Sequence, residues 1–142
     1  MESSTVPDGV YQIRLTVTDA PSNPPGAELT ASRLTPPFHI DTVAPVVQDV
    51  KARRVEGAMI EVGGVAVDES SPLHRIEVSI DGGPFHWLNP TDGLMDSPRE
   101  QFEGRVPLDP GQNGNWITVR AQDAAGNRGS YRVWLEPEAP SK

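Results

Sequence analysis

One strand-and-boundary pattern occurs twice in this chain, and no other feature restricts its fold so strongly. Ile13-x-Leu15-x-Val17-x-Asp19-Ala20 recurs as Ile117-x-Val119-x-Ala121-x-Asp123-Ala124. Each copy leads through a further strand to a proline boundary, Asp41-Thr-Val-Ala-Pro45 after the first and Glu136-Pro-Glu-Ala-Pro140 after the second. Side chains that alternate at period two point to opposite faces of a strand, so both copies read as half-buried strands and not as helices. From Pro45 to Pro140 is about 95 residues, near the ~100 of one two-sheet sandwich domain. The chain therefore reads as the last hairpin of one unit with its linker, residues 1–44, followed by one complete unit and a short tail, residues 45–142.

The remaining sequence fits an all-β antiparallel sandwich. Fifteen prolines and 13 glycines among 142 residues imply either disorder or many tight turns, and the alternating apolar segments between them favour turns. Strands are expected at about 9–19, 35–41, 46–54, 58–67, 73–81, 84–88, 101–107, 115–123 and 130–136. Asp81-Gly82-Gly83 should close a hairpin, because glycine accepts the positive φ of such turns; Asn113-Gly114 and the run from Asp123 to Asn127 mark two more. Alternation sends Ile76, Val78, Ile80, Ile117, Val119, Ala121, Tyr131, Val133 and Leu135 inward. Trp116 and Trp134 then stand together on the outer face of the last hairpin.

Several functions are disfavoured at once. No cysteine exists to form a disulfide, a thiolate nucleophile or a thiolate metal site. The formal charge is −8, with 20 acidic against 12 basic residues scattered along the chain, so nucleic acid and anionic membrane surfaces are poor partners. No apolar run is long enough to span a bilayer, and Met1-Glu-Ser-Ser-Thr has no signal-peptide character, which places any export signal upstream. His39, His74 and His86 stand in strands or at strand edges, no Gly-x-Ser-x-Gly elbow occurs, and no catalytic residue or enzymatic activity is expected.

The run from Trp116 to Asn127, together with Asp41-Thr-Val-Ala-Pro45, resembles the tandem bacterial immunoglobulin-like and fibronectin-III-like modules of secreted and surface proteins. The segment Asp92-Gly-Leu-Met-Asp-Ser-Pro-Arg-Glu-Gln-Phe102 after its hairpin also looks like the C-terminal module of propeller-containing exported proteins. The resemblance implies an immunoglobulin-like or fibronectin-III-like sandwich preceded by an extra hairpin. It further implies a structural, spacer or interaction role at the cell surface or outside the cell, beside neighbouring domains of a larger protein. One departure concerns the corner tyrosine of such modules: Tyr11 occupies that position in the first copy, whereas Asn115 stands at the equivalent position in the second.

Two candidate sites follow. Related modules sometimes bind calcium between units, and Asp41, Asp68, Asp123 and Asn127 supply the oxygen ligands that calcium prefers; the same residues are also ordinary turn formers. Asp92, Asp96 and Glu100 are expected in a solvated acidic loop with a helical turn after Ser97-Pro98, where Ser97 and Glu100 form a capping box. Trp116, Trp134 and Trp87, with Arg120 and Arg132 at their edge, could stack sugar rings as in the carbohydrate-binding module of a secreted hydrolase, or contact a protein or a neighbouring module. The orphan hairpin exposes the row Ile13, Leu15, Val17, Phe38 and Ile40, which the complete unit or a second copy of the chain should cover.

Overall fold

The computed structural model describes residues 6–137. Those residues are all-β, and the chain divides into two compact units, Met1–Asp41 and Thr42–Lys142. The end of the second proline boundary, Pro140, and the N-terminal Met1-Glu-Ser-Ser-Thr lie outside the described residues. No helix among the described residues is long and apolar enough to cross a membrane.

In the first unit β1 (Gly9–Tyr11) pairs antiparallel with β4 (Phe38–Ile40), and β2 (Arg14–Thr18) with β3 (Thr30–Leu34). The single strand expected over 9–19 is thus broken at Gln12 and Ile13. There Thr35 intervenes, its hydroxyl accepting the Ile13 N–H at 2.9 Å and its carbonyl accepting Gln12 Nε2 at 3.1 Å. β3 has no expected counterpart, since Thr30-Ala-Ser-Arg-Leu34 carries almost no apolar alternation and becomes a strand by pairing with β2. The Tyr11 hydroxyl donates to the Pro7 carbonyl at 2.6 Å, tying the backbone four residues upstream. The row Ile13, Leu15, Val17 and Phe38 is between 39% and 65% exposed.

Among the described residues the second unit has seven strands: β5 (Val46–Val55), β6 (Met59–Val67), β7 (Leu73–Ile80), β8 (Phe85–Trp87), β9 (Arg99–Pro107), β10 (Trp116–Asp123) and β11 (Arg128–Trp134). They form a three-stranded sheet, β5-β6-β9, and a four-stranded sheet, β11-β10-β7-β8, antiparallel throughout. One apolar core draws on both, with Ile60, Val62, Phe102 and Val106 from the first and Ile76, Val78, Ile117 and Val119 from the second. Each such side chain contributes about 1.5–3 kcal/mol on burial, which makes this β-sandwich-like core the main source of stability. The large Phe102 ring fits because its cross-strand partner is Gly64; a Cβ there would come within 2.8 Å of Phe102 Cζ. Opposite this point β5 bulges between Gln48 and Lys51, with Asp49 at φ 54°.

The turns follow local chemistry. Asp81 and Gly82 have φ of 51° and 75°, and the Gly83 N–H closes on the Ile80 carbonyl at 2.9 Å, as a hairpin turn with two positive φ values requires. Where the second copy lacks a corner tyrosine, Asn115 holds the corner with its amide donating to the Leu135 carbonyl at 3.0 Å, while the Leu135 N–H donates back to the Asn115 carbonyl at 2.7 Å.

Two expectations are corrected. Tyr131 shares the inner face with Val119 in register but is 48% exposed, because β11 is the outermost strand of its sheet and the core does not extend beneath that position. Residues after Ser97-Pro98 form no helical turn: Arg99 onwards is strand β9, and Glu100 is buried, with Oε1 accepting the Asp96 and Ser97 N–H groups at 3.0 and 2.8 Å. The acid does reach back to the backbone, as a capping box would, but pairing with β6 holds its own backbone extended.

Candidate functional site

The outer face of the four-stranded sheet collects the aromatic and basic side chains. Inward Ile, Val and Ala on β7 and β10 leave Arg75, Glu77, Ser79, Trp116, Thr118, Arg120 and Gln122 outward, and cross-strand register sets these against Phe85 and Trp87 of β8 and Arg128, Arg132 and Trp134 of β11. Trp116 lies opposite Trp134 with ring centroids 4.8 Å apart and planes at 70°, the edge-to-face geometry that aromatic quadrupoles favour. Both rings are close to half exposed.

Three arginines sit over three of these rings. The Arg120 guanidinium lies 3.7 Å from the Phe85 centroid, Arg75 4.9 Å from that of Trp87 and Arg132 5.1 Å from that of Trp116. Glu77, buried between them, accepts Arg120 Nη2 at 2.6 Å and Nε at 3.1 Å, and has Arg75 at 3.5 Å. Four arginines against one carboxylate leave this face cationic on a chain whose formal charge is −8. Trp116, Trp134, Trp87, Arg120 and Arg132 thus all come to one face. Arg75 and Glu77 were not anticipated there, although their position in the polar half of the β7 alternation is a signal that could have found them.

The acids converge elsewhere. Asp68 and Asp123 of the second unit are both buried, and one carboxylate oxygen of each lies within 4.8 Å of the other's; Asp41, the residue directly before Thr42, is also buried. Asp68 follows β6 and turns the chain, with Oδ1 accepting the Ser70 and Ser71 N–H groups at 3.0 and 2.7 Å; its Oδ2 is buried with no hydrogen-bond partner among the described residues. Asp123 ends β10, and its two oxygens accept the Asn127 backbone N–H and side-chain Nδ2, each at 2.9 Å. Asn127 thus orients Asp123 by donating to it. Asp92 and Asp96 are exposed and do not join this cluster.

Other charged groups are committed to the fold. A cleft at one end of the three-stranded sheet is lined by Arg53, Arg54 and Arg105, yet Arg53 and Arg105 both pair with Glu61, and Arg54 donates to the carbonyls of Asn113, Gly114 and Glu136. Arg53 first and Arg105 second hold the Glu61 carboxyl below its usual range. His39 and His74 are exposed, His86 is half-buried, and none belongs to the acidic cluster. No protein-family model and no curated protein matches the chain.

Proposed function

We propose that this chain is a non-enzymatic interaction module of a larger exported bacterial protein, with the outer face of the four-stranded sheet as its contact surface. The reading takes the second unit as an immunoglobulin-like or fibronectin-III-like sandwich. Its three-plus-four strand arrangement supports that assignment, because the first, second and fifth strands share one sheet while the last four-stranded sheet orders its members seventh, sixth, third, fourth. The observation that carries the functional reading is the arginine–aromatic face. Half-exposed tryptophans beside guanidinium groups form the composition that dominates contact energetics in protein recognition. A second reading, a carbohydrate-binding module of a secreted hydrolase, draws on the same Trp116–Trp134 pair, whose exposed apolar surfaces suit the faces of sugar rings.

A double substitution, Trp134→Ala with Arg132→Ala, tests the surface. A side chain kept for contact and not for folding should be dispensable, so the variant should lose no more than about 1 kcal/mol in urea denaturation. A loss of about 3 kcal/mol or more would make the face part of the fold and end the proposal. A glycan array probed with the parent chain and this variant then separates the two readings, since glycan binding that the double substitution removes belongs to the second reading.

A further inference from the structure

We propose that the outer face of the four-stranded sheet receives an acidic peptide segment of a partner protein, anchored by one apolar side chain in a cavity beside β8. The inference rests on that face being a contact surface, and it names what the face takes. The cavity arises where the chain changes sheets. β8 pairs with β7 from Glu77 to Ser79, and the Leu88 N–H still donates to the Ile76 carbonyl at 2.9 Å, but Pro90 already bridges to Phe102 in the other sheet. β7 begins at Leu73 and so extends past the end of its neighbour. Beside that stretch lies a cavity of about 240 Å³ lined by Arg75, Ile76, Trp87, Leu88, Pro90 and Met95.

Size and lining select the occupant. Small-molecule sites run to about 300–1,000 Å³, so this smaller cavity suits a single side chain, and its largely apolar lining suits a leucine or a phenylalanine. Such pocket-filling anchors carry most of the energy of a protein contact. The walls are fixed before binding. Gly93, at φ 83°, turns the loop with its N–H on the Pro90 carbonyl at 3.0 Å, and the Thr91 N–H donates to the Gln101 carbonyl at 2.8 Å. Just past Met95, Glu100 accepts the Asp96 and Ser97 N–H groups. A preformed site avoids the loss of freedom that weakens association when loops must order.

Charge names the rest of the segment. Among the described residues no acid lines the cavity. At the far side of the sheet Arg128 and Arg132 of β11 are exposed and enter no ion pair among the described residues, so both guanidinium groups are available to a carboxylate, which arginine meets in a planar fork. Arg75, at the cavity, shares a row with Gln122 and Arg128 across the three strands. From β8 to β11 is about 14 Å, three strand spacings of about 4.8 Å, which about four residues of extended chain cover. The partner segment is therefore an apolar residue with glutamates or aspartates about four positions away. The rest of this acidic chain repels such a segment, which directs it to the cationic face. A sugar ring stacks on the tryptophans but offers nothing to the apolar cavity.

The test titrates the full chain into a fluorescently labelled peptide, a leucine followed about four positions on by a short run of glutamates, and reads anisotropy at about 20 mM and about 200 mM salt. Saturable binding is expected, with a dissociation constant below about 100 μM at the lower salt and at least about tenfold weaker at the higher. Arg128→Gln with Arg132→Gln should weaken it at least about tenfold, as should serine in place of the peptide's leucine. Arg53→Gln, at an exposed arginine of the other sheet, should leave it unchanged. No saturable binding at the lower salt overturns the proposal, as does binding that survives either the arginine double variant or the serine peptide; the peptide change requires no altered protein. Heparin bound more tightly than the peptide would move the face to the carbohydrate reading, and self-association dissolved by Arg128→Gln with Arg132→Gln would assign it to a second copy of the chain; either result overturns the acidic partner. A destabilised Trp134→Ala with Arg132→Ala variant ends the contact-surface reading itself, whereas a stable one with no peptide binding refutes the acidic partner alone.

Discussion

Replacing Arg120 by methionine should destabilise the second unit by about 2–3 kcal/mol, although the residue stands on an outer face. The side chain of Glu77 is only 9% exposed and that of Arg120 26%. Arg120→Met keeps the aliphatic stem but removes two charge-assisted hydrogen bonds, worth about 1.5–3 kcal/mol together with the cost of leaving the carboxylate poorly paired. It also removes a guanidinium centred 3.7 Å over the Phe85 ring, worth about 0.5–1 kcal/mol. Arg75, at 3.5 Å from Glu77, recovers part of the loss, which keeps the total below the ~3–5 kcal/mol of a fully buried broken pair. For a domain of this size the melting temperature should fall by about 10–20 °C. Urea denaturation of Arg120→Met, Glu77→Leu and the double variant supplies the assay, and the cycle should show a coupling of at least about 1.5 kcal/mol. Coupling below about 0.5 kcal/mol would class the pair with screened surface ion pairs and refute the reasoning. The result also bears on binding studies, because Arg120 supports the face and its removal confounds any test of what the face contacts.

Two further outcomes are expected. Burial acts to raise the Asp81 carboxyl, but the backbone N–H groups of Trp116, Gly114 and Asn115 outweigh it and hold the group below its ordinary value of 3.8. Stability from this acid is therefore complete above about pH 4 and lost as pH falls through the lower folded value. Asp81→Asn, which tolerates the same positive φ, should cost about 1 kcal/mol at pH 7 and less at pH 3; an equal cost at both would contradict the assignment. The exposed row Ile13, Leu15 and Val17 should drive self-association of the chain, since two-stranded hairpins are marginal and present unpaired edges. Light scattering over a concentration series should show dimers that Leu15→Glu dissolves, and a strict monomer at every concentration would reject that role for the hairpin.

How much of this was legible in the sequence depended on whether pairing partners were needed to see it. β7 and β10 alternate so cleanly that their faces, and the outward pair Trp116 and Trp134, follow from side-chain period alone. The Asp81-Gly82 turn is equally local. By contrast, β3 is a strand only because β2 lies beside it, and the break at Gln12 depends on Thr35, twenty-three residues away. Tyr131 has the right phase for burial, yet edge position is a property of the sheet and not of the strand. Glu100 reads as a solvated acid because nothing nearby shows that β6 will cover it. Asp41, Asp68 and Asp123 are visible as turn and linker acids, but the unsatisfied Oδ2 of Asp68 emerges only from packing.

The two aspartate turns at the ends of β10 bear on how the strand finds its alignment during folding. At its leading end the Asp81 carboxylate accepts three successive N–H groups, those of Gly114, Asn115 and Trp116, and at its trailing end Asp123 closes on Asn127. A slip of one residue would exchange Ile117, Val119 and Ala121 for Trp116, Thr118 and Arg120 on the buried side, since every side chain changes face. Hydrophobic burial alone penalises that error only after the sandwich has closed. Asp81 penalises it earlier, while β10 is still pairing with β7, because its carboxylate misses its backbone donors when the strand is out of step, and Asp123 fixes the turn that leads on into β11. Misaligned encounters should therefore dissolve before they are trapped, and a chain with this many short strands can reach a single register without proofreading by its core.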